Sequence, residues 1–209
     1  MKPSKCKWFD QELTFVGHRI GINGIRPDLR NIEKIKNAQV LSNITQLRGF
    51  LGLAQYYRQY VKDYANIAGS LYDMLKKDAQ EYWGPAQQMA FDNLKEKLTS
   101  EPIRAHPNFD KSFKLYTDAS DTGLGAVLAQ DDEEGKERVI AYEARRLNSA
   151  ERVYPTTEKE CLAVVWAIQK FKQYLGGWIP FTVFTDHAAL RTLMKHDHPS
   201  PRRDRKSVV

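Results

Sequence analysis

Two short apolar runs in this chain close on the same word. FKLYTD ends at Asp118 and PFTVFTD ends at Asp186. Each is rich in aromatic and β-branched residues and reads as a strand, and each gives way to a turn or to a small-residue helix start. An aspartate aimed out of a packed sheet is costly unless something binds it. If the two strands are neighbours, their carboxylates converge at one edge and repel strongly unless a cation lies between them. That convergence needs a fold that sets the two strands side by side, although a long helical stretch separates them in sequence.

The segments around them fill in the unit. GAVLAQ at 125–130 and RVIAYEA at 138–144 read as further strands, joined by the solvated hairpin tip DDEEGKE. TTEKECLAVVWAIQKFKQYL at about 156–175 has helical period, and HAALRTLM reads as a short helix after Asp186. The order strand, strand, strand, helix, strand, helix predicts a mixed sheet with helices packed on it.

A third carboxylate is expected from the long helix, where Glu158 and Glu160 are both available. The apolar stripe runs through Cys161, Val164, Val165, Ile168, Phe171 and Leu175. At roughly 100° per residue, Glu160 lies about 60° from the stripe's centre and Glu158 about 100°. The nearer residue is preferred, so Glu160 joins Asp118 and Asp186. Each acid taken singly has a plainer reading: a strand-end cap for Asp118, a helix N-cap for Asp186, a first-turn acid for Glu160. Together on one sheet they suit hard divalent ions, magnesium or manganese rather than zinc. Two such ions about 4 Å apart fit phosphodiester hydrolysis.

Upstream, LTFVGHRIGINGI at 13–25 reads as a short hairpin turning at Gly21, Asn23 and Gly24. Residues 28–39 read as a helix started by Pro27, with Ile32 and Ile35 on its apolar stripe. SNITQLRGFLGLAQYYRQYV reads as one helix with an Asn43–Gln46 capping box and an apolar face of Leu47, Phe50, Leu51, Ala54, Tyr57 and Val61. Further helices are expected at about 67–77 and 85–99, then a two-proline linker at 101–110.

The formal net charge of +6 and pI of about 9.2 favour a polyanionic partner. The two cysteines, Cys6 and Cys161, form no CxxC pair, and Cys161 reads as a small buried hydrophobe. The N-terminal stretch is charged where a signal peptide is apolar, and no run approaches the ~20 apolar residues of a membrane span. An intracellular setting, cytoplasm or nucleus, is expected.

TDASDTGLGAVL, YPTTEKECLAVVWAI and FTVFTDH together resemble the ribonuclease H domain of reverse transcriptases from gypsy-type LTR retrotransposons. FVGHRIGINGIRPD resembles the end of that enzyme's palm, ITQLRGFLGLAQYYRQYV its thumb, and WGPAQQMAFDNLKEKLTSEPI the segment leading into the ribonuclease H domain. The resemblance implies an α/β fold: a ribonuclease H-like mixed sheet of three antiparallel strands and one parallel strand, truncated at the C-terminus and preceded by an α-helical thumb and connection. The expected units are a palm-edge hairpin at 1–25, thumb and connecting helix at 26–100, linker at 101–110, an incomplete ribonuclease H-like domain at 111–198 and a basic tail at 199–209.

By resemblance, Asp118, Glu160 and Asp186 are catalytic and hold two Mg2+ ions, for which Mn2+ substitutes, and RNA–DNA hybrid is the substrate. His187 follows Asp186 on the substrate side. Arg48, Tyr57 and Arg58 are expected on the template–primer duplex, and Gly49 and Gly52 allow a close approach to a groove. The basic run Arg202, Arg203, Arg205 and Lys206 would meet phosphates. The triple at 196–198 (HDH) reads as a surface loop, and Asp204 is left without a role. No YxDD word occurs, so DNA polymerisation is not expected of this chain alone; palm or integrase portions of a parent polyprotein are expected partners. The competing expectation is a catalytically silent nucleic-acid-binding remnant.

Overall fold

The computed structural model describes residues 10–39, 41, 43–76, 82–100, 104–187 and 190. The expected helix after Asp186, the HDH triple, Asp204, the basic tail and Cys6 lie largely or wholly outside them.

The chain opens on a three-stranded antiparallel sheet, β1 (Glu12–Phe15), β2 (His18–Gly21) and β3 (Gly24–Pro27). The sequence suggested one hairpin here, and the structure has two. The additional turn is Val16–Gly17, with φ of 44° and 71°. Positive φ at both central residues gives a two-residue turn the twist that the flanking strands require. Pro27 pairs with His18 as the last residue of β3 rather than starting a helix. Asp28 takes that role, its side chain accepting from the Arg30 amide at 3.0 Å to cap α1 (Leu29–Lys36).

Asn43 caps α2 (Ile44–Tyr56) by accepting from the Gln46 amide at 2.9 Å. The helix ends at Tyr56 and tightens into a 3-10 turn, Arg58–Tyr60, instead of running on to Val61. The apolar face expected of this segment is buried throughout. The helix expected at 67–77 is two short ones, α3 (Tyr64–Ile67) and α4 (Gly69–Asp73), followed by α5 (Pro85–Thr99). α1, α2, α4 and α5 close round Ile35, Leu47, Leu51, Leu71, Phe91, Leu94 and Leu98, with the Phe50 and Phe91 rings 4.7 Å apart.

The second sheet has the order β6-β5-β4-β7. β4 (Lys114–Ala119), β5 (Gly123–Asp131) and β6 (Glu137–Arg146) are antiparallel neighbours, and β7 (Thr182–Phe184) lies parallel to β4. The two strands bearing the YTD and FTD words are therefore adjacent, which meets the condition for their acids to converge. α6 (Ser149–Arg152), held by an Asn148–Glu151 capping box, leads into α7 (Thr156–Lys170) and α8 (Lys172–Leu175). Leu115, Leu128, Ile140, Ala167 and Phe171 form the core beneath α7.

A polar seam joins the helical unit to this sheet. Arg104 is 6% exposed. Its backbone exchanges two hydrogen bonds with Ile25, of 2.8 and 3.0 Å. Its guanidinium lies 5.2 Å from the Tyr60 ring centroid and donates to the Ile140 carbonyl at 2.6 Å. Arg146 meets Asp73 at 2.6 Å, and Thr122 donates to Asn66 at 3.1 Å. Among the described residues no helix is long and apolar enough to cross a membrane.

Candidate carboxylate site

The parallel pairing places two of the three acids. Tyr116 pairs with Phe184 at the end of the β4–β7 ladder, their rings stacked at 4.7 Å. Asp118 and Asp186 each lie two residues beyond that pair, at the same end of the sheet, and both are exposed. Asp118 stands opposite Gly125 in β5, so no neighbouring side chain crowds it from that strand.

Glu160 comes from α7 and is 4% exposed. One carboxylate oxygen accepts from the Ala119 amide at 3.3 Å; the other, Oε2, is buried with no hydrogen-bond partner among the described residues. Burial pushes the Glu160 carboxyl above the usual glutamate range, and the charges of Asp186 and Asp118 add to the rise. The Ala119 amide and His187 oppose it. The charges of both strand-end aspartates thus reach Glu160.

The helix face differs from the one drawn from sequence. The buried residues of α7 are Lys159, Glu160, Ala163 and Ala167, continued by Phe171. Val164, Val165 and Ile168 are half-buried. Glu160 therefore lies within the sheet-facing stripe rather than beside it. Small alanines line the closest approach, and a hydrophobicity-weighted stripe is drawn off-centre towards the bulkier neighbours. Cys161, expected to be buried, is half-buried at the margin of that face.

The structure also separates the acids. Leu115 and Ala119 pack towards α7, so alternation along β4 turns Asp118 to the opposite face. There it lines a cavity of about 240 Å³ with Lys62, Asp63 and Asn66 from the helical unit and Glu143 from β6. Among the described residues, no three His, Cys, Asp or Glu side chains are grouped closely enough to hold a metal ion as they stand. The donor chemistry nevertheless fits a hard divalent cation, since a buried carboxylate oxygen without a partner stands near two exposed carboxylates.

His187 was expected on the substrate side, but the residues that hold it, and those beside Asp118, were not singled out from sequence. His187 Nε2 lies 2.8 Å from Thr157 Oγ1, and the His187 amide donates to Thr185 Oγ1 at 3.2 Å. These bonds stitch the end of β7 to the first turn of α7. Lys159 Nζ meets Asp121 at 2.8 Å, which ties the loop after Asp118 to the same helix. The TTEKE word held both signals. Asp63 carried none, because only tertiary packing brings it to Asp118. Burial raises the Asp63 carboxyl, the Asp118 charge adds to it, and the Asn66 hydrogen bond opposes it.

The residues expected on nucleic acid divide sharply. Arg48, Gly49 and Gly52 lie exposed on α2, and a Cβ added at either glycine would meet nothing within 4 Å. Arg58 is half-buried and reaches Glu143 of the sheet at 3.4 Å. Tyr57 is 0% exposed. Its hydroxyl donates to the Gly17 carbonyl at 2.6 Å and accepts from the Asn31 amide group at 2.9 Å. The expectation that Tyr57 touches a duplex is corrected: its ring is core, and its hydroxyl fixes the Val16–Gly17 turn.

Residues 83–183 match the family of the RNase H-like domain found in reverse transcriptase. They belong to that family. Relatives include the retrovirus-related Pol polyprotein from transposon opus of Drosophila melanogaster, 36% identical over 197 residues, covering 89% of this chain and 20% of the relative. The transposon Tf2-3 polyprotein of Schizosaccharomyces pombe is 34% identical over 188 residues, covering 90% of this chain and 14% of its own length. The chain thus spans a fifth or less of these polyproteins. The RNase H-like fold is shared with a foamy viral protease-reverse transcriptase, solved in its dRH form with double-stranded DNA: TM-score 0.76 at 19% identity, over 94% of this chain and 35% of that one. The same viral enzyme solved with RNA/DNA hybrid gives a TM-score of 0.75 at 19% identity, over 98% and 28%.

Proposed function

We propose that the RNase H-like domain hydrolyses the RNA strand of RNA–DNA hybrids with divalent metal ions held by Asp118, Glu160 and Asp186. The observation that carries this reading is Glu160 Oε2, buried without a partner among the described residues. A buried carboxylate oxygen without a donor costs free energy in the apo protein, and cation binding relieves that cost. Bound Mg2+ or Mn2+ would supply a water of lowered pKa and neutralise charge on the leaving oxygen. The chain's own residues do the rest. The Thr157–His187 and Lys159–Asp121 contacts hold the Asp186 and Asp118 turns against α7. The open face of α2, with Arg48 beside Gly49 and Gly52, lets a duplex backbone come close to the helix. The nucleic-acid complexes of the foamy viral enzyme support a nucleic-acid partner.

A second reading has its own observation. The acids are not gathered at ligating distance, and Asp118 leaves the sheet on the face away from α7. A domain that binds nucleic acid without cutting it accounts for that arrangement. One assay separates the two: a labelled RNA–DNA hybrid with millimolar Mg2+, offered to wild type and to Asp118→Asn. The hydrolytic reading expects cutting by wild type that falls at least about a hundredfold in the variant and disappears with chelator. Binding without cutting by wild type would establish the silent reading.

A further inference from the structure

The far end of the same sheet carries a second surface that the carboxylate reading does not use. Trp178 follows Gly176 and Gly177 in the turn between α8 and β7 and is fully exposed, at 103%. Phe109, just before β4, is 58% exposed. Between α8, the end of α7 and Phe109 lies a shallow groove lined by Phe109, Tyr174, Lys170, Lys172, Gln169 and Gln173. Both lysines are exposed, and none of the described residues lining the groove is acidic. At Gly177 an added Cβ would meet nothing within 4 Å, so the turn leaves this side of the groove open.

We infer that this groove and Trp178 form a contact site for an unpaired nucleic-acid strand. Three features favour that occupant. Exposed aromatic rings offer faces on which bases stack without regard to sequence. Lys170 and Lys172 supply phosphate-seeking charge beside those rings, on a chain of net charge +6. The glutamines give donors and acceptors without adding negative charge. An acidic peptide would satisfy the lysines but would leave the Trp178 face without a stacking partner.

The position gives the site a distinct task. β4 and β7 run parallel, with Asp118 next to last in β4 and Asp186 two residues past β7, whereas Phe109 and Trp178 precede their starts. A strand of six residues spans roughly 20 Å. The groove therefore lies about that far from the acids, at the opposite end of the sheet, and binds strand without taking part in hydrolysis.

The test uses the full chain in EDTA, so its outcome is independent of cutting. Binding of a fluorescein-labelled oligothymidylate of about twelve nucleotides, and of a duplex of the same length, is measured by anisotropy. Trp178→Ala should weaken single-strand binding about fivefold or more, and duplex binding less, because paired bases are not free to stack. Lys170→Glu with Lys172→Glu should weaken it further and flatten its salt dependence. Both changes are on the surface, and unchanged thermal melting would exclude a folding effect. Single-strand affinity equal to wild type in both variants would overturn the inference. Displacement of the oligonucleotide by poly-glutamate of equal length, lost in Trp178→Ala, would also overturn it and assign the groove to an acidic peptide.

Discussion

The helical unit and the sheet unit treat buried polar groups in opposite ways. In the helical unit, the Tyr57 hydroxyl is paired on both sides, and Tyr64, Tyr72 and Gln55 form a hydrogen-bonded chain with links of 3.2 and 2.9 Å. In the sheet unit lie the two buried side-chain oxygens that lack a partner among the described residues, Thr117 Oγ1 and Glu160 Oε2. Burying a polar group without a partner costs free energy that a well-packed apolar substitute would not. The helical unit is arranged for stability, and the sheet unit carries an uncompensated carboxylate beside two further acids. That asymmetry is the physical ground for placing the chemistry in the sheet and the support in the helices.

The largest expected effect tests whether the two units stand or fall together. Phe91 is 2% exposed and packs on Phe50 and Trp83. Phe91→Ala should cost about 3–5 kcal/mol. If the seam through Arg104, Arg146 and Asn66 couples the units, calorimetry should show one transition moving as a whole. A sheet-unit transition left at its wild-type temperature would mean that the seam transmits little.

The next pair sharpens the contrast directly. Tyr57→Phe should destabilise by about 1–2 kcal/mol, because the Gly17 carbonyl and the Asn31 amide lose a buried partner. Glu160→Gln should do the reverse at pH 7.5 without metal, raising stability by roughly 1 kcal/mol as a desolvated charge is removed. Chemical denaturation of both variants checks the signs. Millimolar Mg2+ should raise the midpoint of wild type and leave that of Glu160→Gln unmoved. A destabilising Glu160→Gln would place the carboxylate among the structural groups and remove the main support for a metal site.

Much of this was legible in the sequence because the relevant signals are local. The repeated strand ending picked out two acids that adjacent strands would bring together, and Asn43 marked a helix start through capping chemistry that acts within one turn. The errors arose where longer-range packing decides. A hydrophobic stripe placed Glu160 off-centre, because small alanines that allow close helix–sheet contact weigh little in such a count. The apolar stripe already placed Tyr57 inside; its duplex role came from the resemblance alone, and nothing near it in sequence reveals the Gly17 carbonyl it must satisfy. Asp63 could not be found at all: its relation to Asp118 exists only through the docking of α3 on the sheet. The turn at Val16–Gly17 passed unread because valine rarely accepts positive φ, and two tyrosine hydroxyls are what hold it there.

The smallest expected effect concerns that same support. His18 stacks on Tyr56 at 5.3 Å, and its Nδ1 lies 3.0 Å from the Tyr60 hydroxyl. Burial depresses the His18 pKa below 6.5, and the Arg104 charge depresses it further. The folded state therefore favours the neutral ring, while the unfolded chain protonates near 6.5. The contribution is fully present above that value and is lost as pH falls through it towards the lower folded pKa. His18→Gln should remove this part of the acid sensitivity, so denaturation midpoints measured between pH 7.5 and about 5.5 should fall less steeply in the variant than in wild type. Parallel curves would show that the imidazole is already solvated in the fold, and that the helical unit pairs its polar groups less completely than the tyrosine network implies.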